Sequence, residues 1–308
     1  MSGRALLISV VIPTYQAAAT LARQLALLRG QEPALHEILV IDSASTDSSR
    51  DIAANFGANV VIIQKTQFDH GGTRTHAGRD CCNGDIVVFL TQDALPVDGQ
   101  AIWNLTAPLR EDSTCGAVFG RQVPYPDATL YAQHLRLFNY PATSYVRTYA
   151  DRHRYGLKAA FCSNSFAAYR RSALESVGWF ASGLGMAEDM HVCARMLQQG
   201  YTIRYVAEAA VYHSHNYTLQ QDGKRYFDVG VFHRRQPWLL EDFGRPAGEG
   251  LRYVRSEMAF LWAQRKPWLI PASLLRAAVK LLSYQLGTYY EWLPQSVVRR
   301  LSMHGVSG

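Results

Sequence analysis

Apolar and polar positions in the first half of the chain follow two alternating rhythms. Residues 7–12, 37–41, 59–63 and 86–90 are short runs rich in β-branched and other apolar residues, each flanked by turn formers. Runs apolar at consecutive positions are buried on both faces, as parallel strands are. Between them, residues 21–28, 48–56 and a segment near 73–82 carry apolar side chains at helical spacing. Thr46 or Asp47 can cap the second of these helices and Gly57 can end it. This βαβαβ rhythm predicts an α/β fold with a Rossmann-like, mostly parallel, doubly wound sheet, whose ligands gather beyond the carboxyl ends of the strands.

The second half is less regular. Residues 161–169 and 201–206 read as strands. Residues 190–199 read as a helix with Met190, Cys193, Met196 and Leu197 on one face and Gly200 as its stop. After Tyr217 the pattern turns helical and aromatic-rich, with breaks at Pro237, Pro246, Pro267 and Pro271. The expected organisation is an α/β domain over residues 1–220 and a helical extension over 221–308. The apolar run at 6–12 is too short to span a bilayer and lacks a small-residue cleavage site. The run at 268–282 is broken by Pro271, Arg276 and Lys280, so neither a signal peptide nor a spanning helix is expected.

With 48% hydrophobic and 18% charged residues the chain is ordinary globular material. Its five cysteines (Cys81, Cys82, Cys115, Cys162 and Cys193) are odd in number and show no CxxC spacing. They predict neither a disulfide framework nor a zinc site, and point to a reducing cytoplasm. The net charge of +6 is uneven: residues 1–220 hold 18 Lys and Arg against 18 Asp and Glu, and residues 221–308 hold 13 against 7. Such a basic tail is either a solvated face or an attraction to anionic lipid or a phosphorylated acceptor. No nucleic-acid-binding module accompanies it, so nucleic acid is not an expected partner. Trp262, Trp268 and Trp292 lie among Arg265, Lys266, Arg276, Lys280, Arg299 and Arg300, a mixture that suits a membrane interface. A homodimer interface would explain the same surface. With Trp238, Tyr289 and Tyr290, these aromatics are read first as core.

Familiar phosphate-binding patterns are missing. The first strand runs into Pro13-Thr14-Tyr15-Gln16 with no GxGxxG, and there is no Walker A sequence. Acidic residues instead stand at strand ends: Asp42 after the second strand and Asp93 after the fourth. Glu188 and Asp189 open a helix, and His213 and His215 follow a strand. Carboxylates at the carboxyl edge of such a sheet converge on one crevice. Mg²⁺ or Mn²⁺ needs one or two carboxylates and the phosphate oxygens of a substrate, which this arrangement supplies. His213 and His215 alternate along an apparent strand, so at most one is expected to face the site.

Four segments together resemble the family 2 glycosyltransferases: Val10-Val11-Ile12-Pro13-Thr14-Tyr15, Val40-Ile41-Asp42-Ser43-Ala44-Ser45-Thr46-Asp47, Phe89-Leu90-Thr91-Gln92-Asp93-Ala94-Leu95-Pro96 and Ala187-Glu188-Asp189-Met190. The resemblance covers roughly residues 6–217 and implies the GT-A fold. Phe68-Asp69-His70-Gly71-Gly72-Thr73-Arg74, the Thr91-Gln92-Asp93 variant and Val211-Tyr212-His213-Ser214-His215 resemble the rhamnosyltransferase branch, whose members use dTDP-L-rhamnose to build bacterial surface polysaccharides.

The resemblance implies a role for each residue. Thr14, Tyr15 and Asp42, with Ser43 where many relatives carry a second acid, would line the nucleotide-base pocket. Arg74 would lie near the diphosphate, with Arg79 and Gln92 as further donor contacts. Asp93 matches the last acid of the family's DxD metal motif, whose first acid is here Thr91, and His213 would be a further metal ligand, with His215 the alternative. Asp189 would be the catalytic base and Glu188 its coupled neighbour. Single in-line displacement would turn a β-L-rhamnosyl donor into an α-L-rhamnoside on a glycan acceptor that is lipid-linked at the inner membrane. A UDP-hexose donor on the same fold, or a nucleotide-sugar-binding protein without catalysis, are the competing readings.

Overall fold

The structure is a computed structural model that describes residues 6–245, 248–303 and 305. Nine strands form one sheet: β1 (Ile8–Thr14), β2 (Glu37–Asp42), β3 (Asn59–Ile62), β4 (Ile86–Leu90), β5 (Leu95–Pro96), β6 (Cys115–Val123), β7 (Tyr145–Arg147), β8 (Phe166–Arg170) and β9 (Thr202–Tyr212). Their order is β3-β2-β1-β4-β8-β6-β9-β5, with β7 also on β9. The first four pair in parallel, as the apolar runs predict. Beyond β4 the sheet is mixed. β8 runs antiparallel to both β4 and β6, β6 and β9 are parallel, and β5 and β7 lie antiparallel on β9. The mostly parallel expectation therefore holds for the first four strands; beyond them β8, reached only after a long excursion through helices and β6, enters the sheet between β4 and β6 and runs against both.

Alternate residues of each parallel strand enter two cores. Val11, Leu39, Ile41, Val87 and Phe89 face one side, and Val10, Ile12, Ile38, Val40, Ile86 and Val88 the other. Helices Ala18–Arg29 and Ser49–Asn55 follow β1 and β2. The Asp47 carboxylate accepts the Ser49 amide, and Gly57 takes a left-handed conformation after the second helix. The segment expected near 73–82 is a helix over His70–His76 continued by a π-turn over Ala77–Cys81. All five cysteines are free.

From residue 219 the chain is helical: Leu219–Arg235, Pro237–Phe243, Glu249–Ala263, Ile270–Thr288 and Gln295–Leu301. Leu219–Arg235 starts in a Thr218/Gln221 capping box. It crosses Ile270–Thr288 so closely that a Cβ at Gly230 would strike the Tyr284 carbonyl, and one at Gly287 the Phe227 carbonyl.

The outward face of Ile270–Thr288 carries Leu274, Leu275, Leu281, Leu282 and Leu286, all exposed. Its cations Arg276 and Lys280 turn inward to Asp222. Around this face Trp262, Trp268, Tyr289 and Trp292 are also exposed, Trp292 by 81%. These four aromatics are surface, correcting the expectation of core, whereas Trp238 packs against the main core and Tyr290 against Phe227 and Val231. Among the described residues no helix is long and apolar enough to cross a membrane.

Candidate active site

A cavity of about 640 Å³ opens at the carboxyl ends of β4, β6 and β9 and is walled by residues as far apart as His70 and Lys280. One end is built by strand pairing. Leu95 of β5 lies opposite Tyr212 of β9, which brings Asp93 beside the residues that leave β9. The Asp93 carboxylate is 3.5 Å from His213 Nε2 and 3.6 Å from His215 Nε2. Strand alternation had predicted only one histidine here. β9 ends at Tyr212, so alternation stops and both rings turn toward Asp93. Gln122 Oε1 accepts from His213 Nδ1 at 2.8 Å, which leaves the Nε2 lone pair directed at the cluster.

One carboxylate oxygen and two imidazole nitrogens lie within 4.8 Å of one another. Burial lowers the basicity of His213, and burial with the neighbouring His213 lowers His215 to about 4. Both rings are therefore neutral lone-pair donors near pH 7. This donor set fits a divalent cation and leaves positions open for substrate oxygens.

The other end is the start of the helix Glu188–Gln198. Ala187 precedes it in a left-handed conformation (φ 57°), rare for a residue with a side chain, and this bend aims two consecutive carboxylates into the cavity. Asp189 Oδ1 accepts from the Met190 amide at 2.8 Å and Oδ2 from the Asn164 amide at 3.0 Å. Glu188 Oε1 accepts from Asn164 Nδ2 at 2.9 Å and pairs with Arg74 at 3.2 Å. Burial alone would raise Glu188, but Arg74, His70 and the Asn164 amide outweigh it and hold it below its ordinary value. Asp189 goes the other way: burial first, then the Glu188 charge, push it up to about 7. The tight packing of Gly71, whose Cβ would strike the Ala181 carbonyl, pins the loop that leads to this helix.

Asp189, Glu188, Arg74, Gln92, Asp93 and His213 thus share one cavity. Thr14, Tyr15, Asp42 and Ser43, at the ends of β1 and β2, do not line it. Gln92 joins the two groups, accepting the Tyr15 amide at 2.8 Å and donating to its carbonyl at 3.1 Å. Asp42 is fully buried and accepts the Ser45 amide through Oδ1. Its Oδ2 and the Ser43 hydroxyl are buried without partners. Arg79 is a correction: its guanidinium turns to solvent, pairs with Asp80 at 2.8 Å and stays outside the cavity lining. His215, Asn164, Arg136, Arg225 and Lys280 also stand in the wall. Of these, sequence reasoning had placed only His215 at the site. It had set Lys280 in a membrane-facing tail, a correction, since Lys280 turns inward to Asp222. The others come from segments with no chemical motif.

The chain that builds this mixed sheet, with one carboxylate set among imidazoles beyond a strand and another at a helix start, matches known families along most of its length. Residues 9–178, more than half of it, match glycosyl transferase family 2, and residues 106–298 match glycosyl transferase family group 2. The chain belongs to glycosyl transferase family 2 and is a glycosyltransferase.

It is 43% identical to the O-antigen chain rhamnosyltransferase WbaN of Salmonella anatum, over 96% of this chain and 94% of that one. It is likewise 43% identical to the O-antigen chain rhamnosyltransferase RfbN of Salmonella typhimurium, with the same coverage. Among solved structures, the mannosyltransferase PcManGT from Pyrobaculum calidifontis, in complex with GDP-Man and Mn²⁺, superposes with a TM-score of 0.60 at 20% identity, covering 96% of this chain and 85% of that one. S. aureus TarS 1-349 in complex with UDP-GlcNAc gives a TM-score of 0.54 at 16% identity, covering 93% and 92%. These likenesses show a GT-A fold.

Proposed function

We propose that this protein moves L-rhamnose from dTDP-β-L-rhamnose to a hydroxyl of a lipid-linked O-antigen acceptor, with inversion, at the cytoplasmic face of the inner membrane. The sugar and the pathway rest on 43% identity over nearly the whole chain to two O-antigen chain rhamnosyltransferases. The observation that carries the chemistry is the polarity of the cavity, with a raised carboxylate at one end and a carboxylate–imidazole cluster at the other.

Asp189 is the base. Held by the Asn164 and Met190 amides, it accepts the acceptor's hydroxyl proton as that oxygen bonds to the anomeric carbon. The anomeric carbon–oxygen bond to the diphosphate breaks on the opposite face, and dTDP leaves with the electron pair. Mn²⁺ or Mg²⁺ held by Asp93, His213 and His215 would neutralise charge on that diphosphate, and two imidazole donors favour Mn²⁺. Gln92 fixes the Tyr15 turn beside the donor, and Arg74, drawn to Glu188, orders the base end.

The unpartnered, buried Asp42 Oδ2 and Ser43 hydroxyl suit the N3–H and carbonyl edge of a pyrimidine. Thymine and uracil share that edge, so a UDP-sugar donor is the second reading. The exposed leucine face of Ile270–Thr288, rimmed by Trp262, Trp268 and Trp292 and by Arg265, Lys266, Arg299 and Arg300, suits an anionic membrane surface.

Thermal unfolding with dTDP, UDP, GDP and NAD, each with and without Mn²⁺, tests the reading. A ligand at ~100 times its dissociation constant stabilises the fold by ~2.7 kcal/mol. The expected result is a Mn²⁺-dependent shift largest for dTDP. A larger shift with UDP moves the donor, and no response to any nucleotide defeats the reading.

A further inference from the structure

Two arginines in the cavity wall have no task in the reaction described above. Arg136 comes from the helix Leu130–Asn139 and Arg225 from Leu219–Arg235. Neither is within ion-pair distance of a carboxylate among the described residues, although neighbouring cations are answered: Arg276 and Lys280 share Asp222. Arg136 Nε is buried with no hydrogen-bond partner, and its ring contact is Tyr140 at 6.0 Å. The two guanidiniums are close enough to repel each other, and both lie within electrostatic reach of His213 and His215.

Three cations, Arg136, Arg225 and Lys280, thus line this end of the cavity, and Arg276 stands behind them on Asp222, against two carboxylates, Asp93 and Asp222. Two positive charges remain uncompensated before any metal ion adds to them. Like charges left together without counter-charge raise the energy of a folded chain unless an anion is meant to fill the gap. The base end shows the contrast, because its one guanidinium, Arg74, is already neutralised by Glu188.

We infer that Arg136 and Arg225 form a clamp for a diphosphate, its planar N–H donors meeting the phosphate oxygens from the side not held by Asp93, His213 and His215. Guanidinium is suited to this task because it stays charged and donates in pairs. The inference rests on the proposed transfer reaction, which supplies two diphosphates: that of the nucleotide sugar and that of a prenyl-linked acceptor. The donor's is favoured. In-line displacement places the leaving group on the far side of the sugar from the base, and these arginines stand with the metal-ligand cluster, apart from Asp189.

The test uses the full chain with Mn²⁺ and isothermal titration of dTDP, dTMP and farnesyl diphosphate. Arg225 is exposed, so Arg225→Ala should fold. Arg136→Ala is interpreted only if its unfolding transition is intact, and Arg225→Ala carries the test alone otherwise. The expected result is about tenfold weaker dTDP binding in Arg225→Ala, with dTMP nearly unchanged and partial recovery in Arg225→Lys. If dTDP binding holds and farnesyl diphosphate weakens about tenfold, the clamp stands with the acceptor as its ligand. If neither diphosphate moves, the clamp is wrong. Wild-type protein that binds farnesyl diphosphate but no nucleotide would defeat the proposed donor and leave the clamp to be judged on the prenyl arm.

Discussion

The two ends of the cavity are built on opposite plans. At the base end Glu188, Asn164 and Arg74 are buried, and the carboxylates are already bonded by amides and a guanidinium. At the other end Asp93 is partly exposed, the histidines are neutral lone-pair donors, and Arg136 and Arg225 have no carboxylate within ion-pair distance among the described residues. The base end is complete without substrate, and the cation end is completed by what binds there. A preorganised group contributes to the rate of the chemical step, whereas a group awaiting its partner contributes first to affinity.

Substitutions at each end should separate those two quantities. Asp189→Asn removes the proton acceptor, at the cost of one of the two amide bonds that hold the side chain, so transfer should fall ~10²–10⁴-fold with dTDP affinity retained. Wild-type turnover in that variant would overturn Asp189 as the base, and unchanged nucleotide binding without any transfer in the wild type would point to a binding protein. At the other end, His215→Ala should raise the Mn²⁺ concentration for half-maximal rate by ~10-fold or more, with the rate at saturating metal less affected. An unchanged metal requirement would remove His215 from the ligand set.

The helix that carries Lys280 into the cation end offers a third contrast. Leu281→Glu with Leu282→Glu should abolish co-sedimentation with phosphatidylglycerol vesicles, since each buried leucine is worth ~1.5–3 kcal/mol. Transfer to a water-soluble acceptor should not change. If vesicle binding is unaffected but a concentration-dependent dimer is lost, the face is a subunit interface. The smallest effect is in pH. Asp189 must be ionised to act, and its folded value is about 7, so the rate should climb between pH 6 and 8 and then level. Glu188→Gln removes a negative charge that raises Asp189, so the acidic limb should move to lower pH. A shift upward would show that Glu188 does not act on Asp189 in that sense.

Much of this arrangement was legible where structure is local. Three of the parallel strands, β1, β2 and β4, announce themselves because both faces are buried and nearly every position is apolar, the edge strand β3 is legible from its β-branched run alone, and Asp42 and Asp93 follow from where those runs stop. What escaped depends on pairings distant in sequence. β8 returns antiparallel to β4, which no periodicity between residues 91 and 165 encodes. His215 reaches the cluster because β9 ends three residues earlier, a boundary set by its partners β5 and β6. Arg136 and Arg225 sit on helices whose spacing reports amphipathicity and is silent about a cavity. Arg79 misled for a similar reason: five positions past Arg74 it stands on another side of the chain, turned to solvent beside Asp80.

The helix Ile270–Thr288 has one further consequence. An α-helix with its side chains is about 10–12 Å thick. With its leucine face seated among lipid headgroups, its opposite face, and Lys280 on it, would stand at a fixed height above the acyl chains. The helix would then work as a spacer. It would set the distance from bilayer to reaction centre, so acceptors would be sorted by how far their reactive hydroxyl projects from the membrane before any side chain reads their identity.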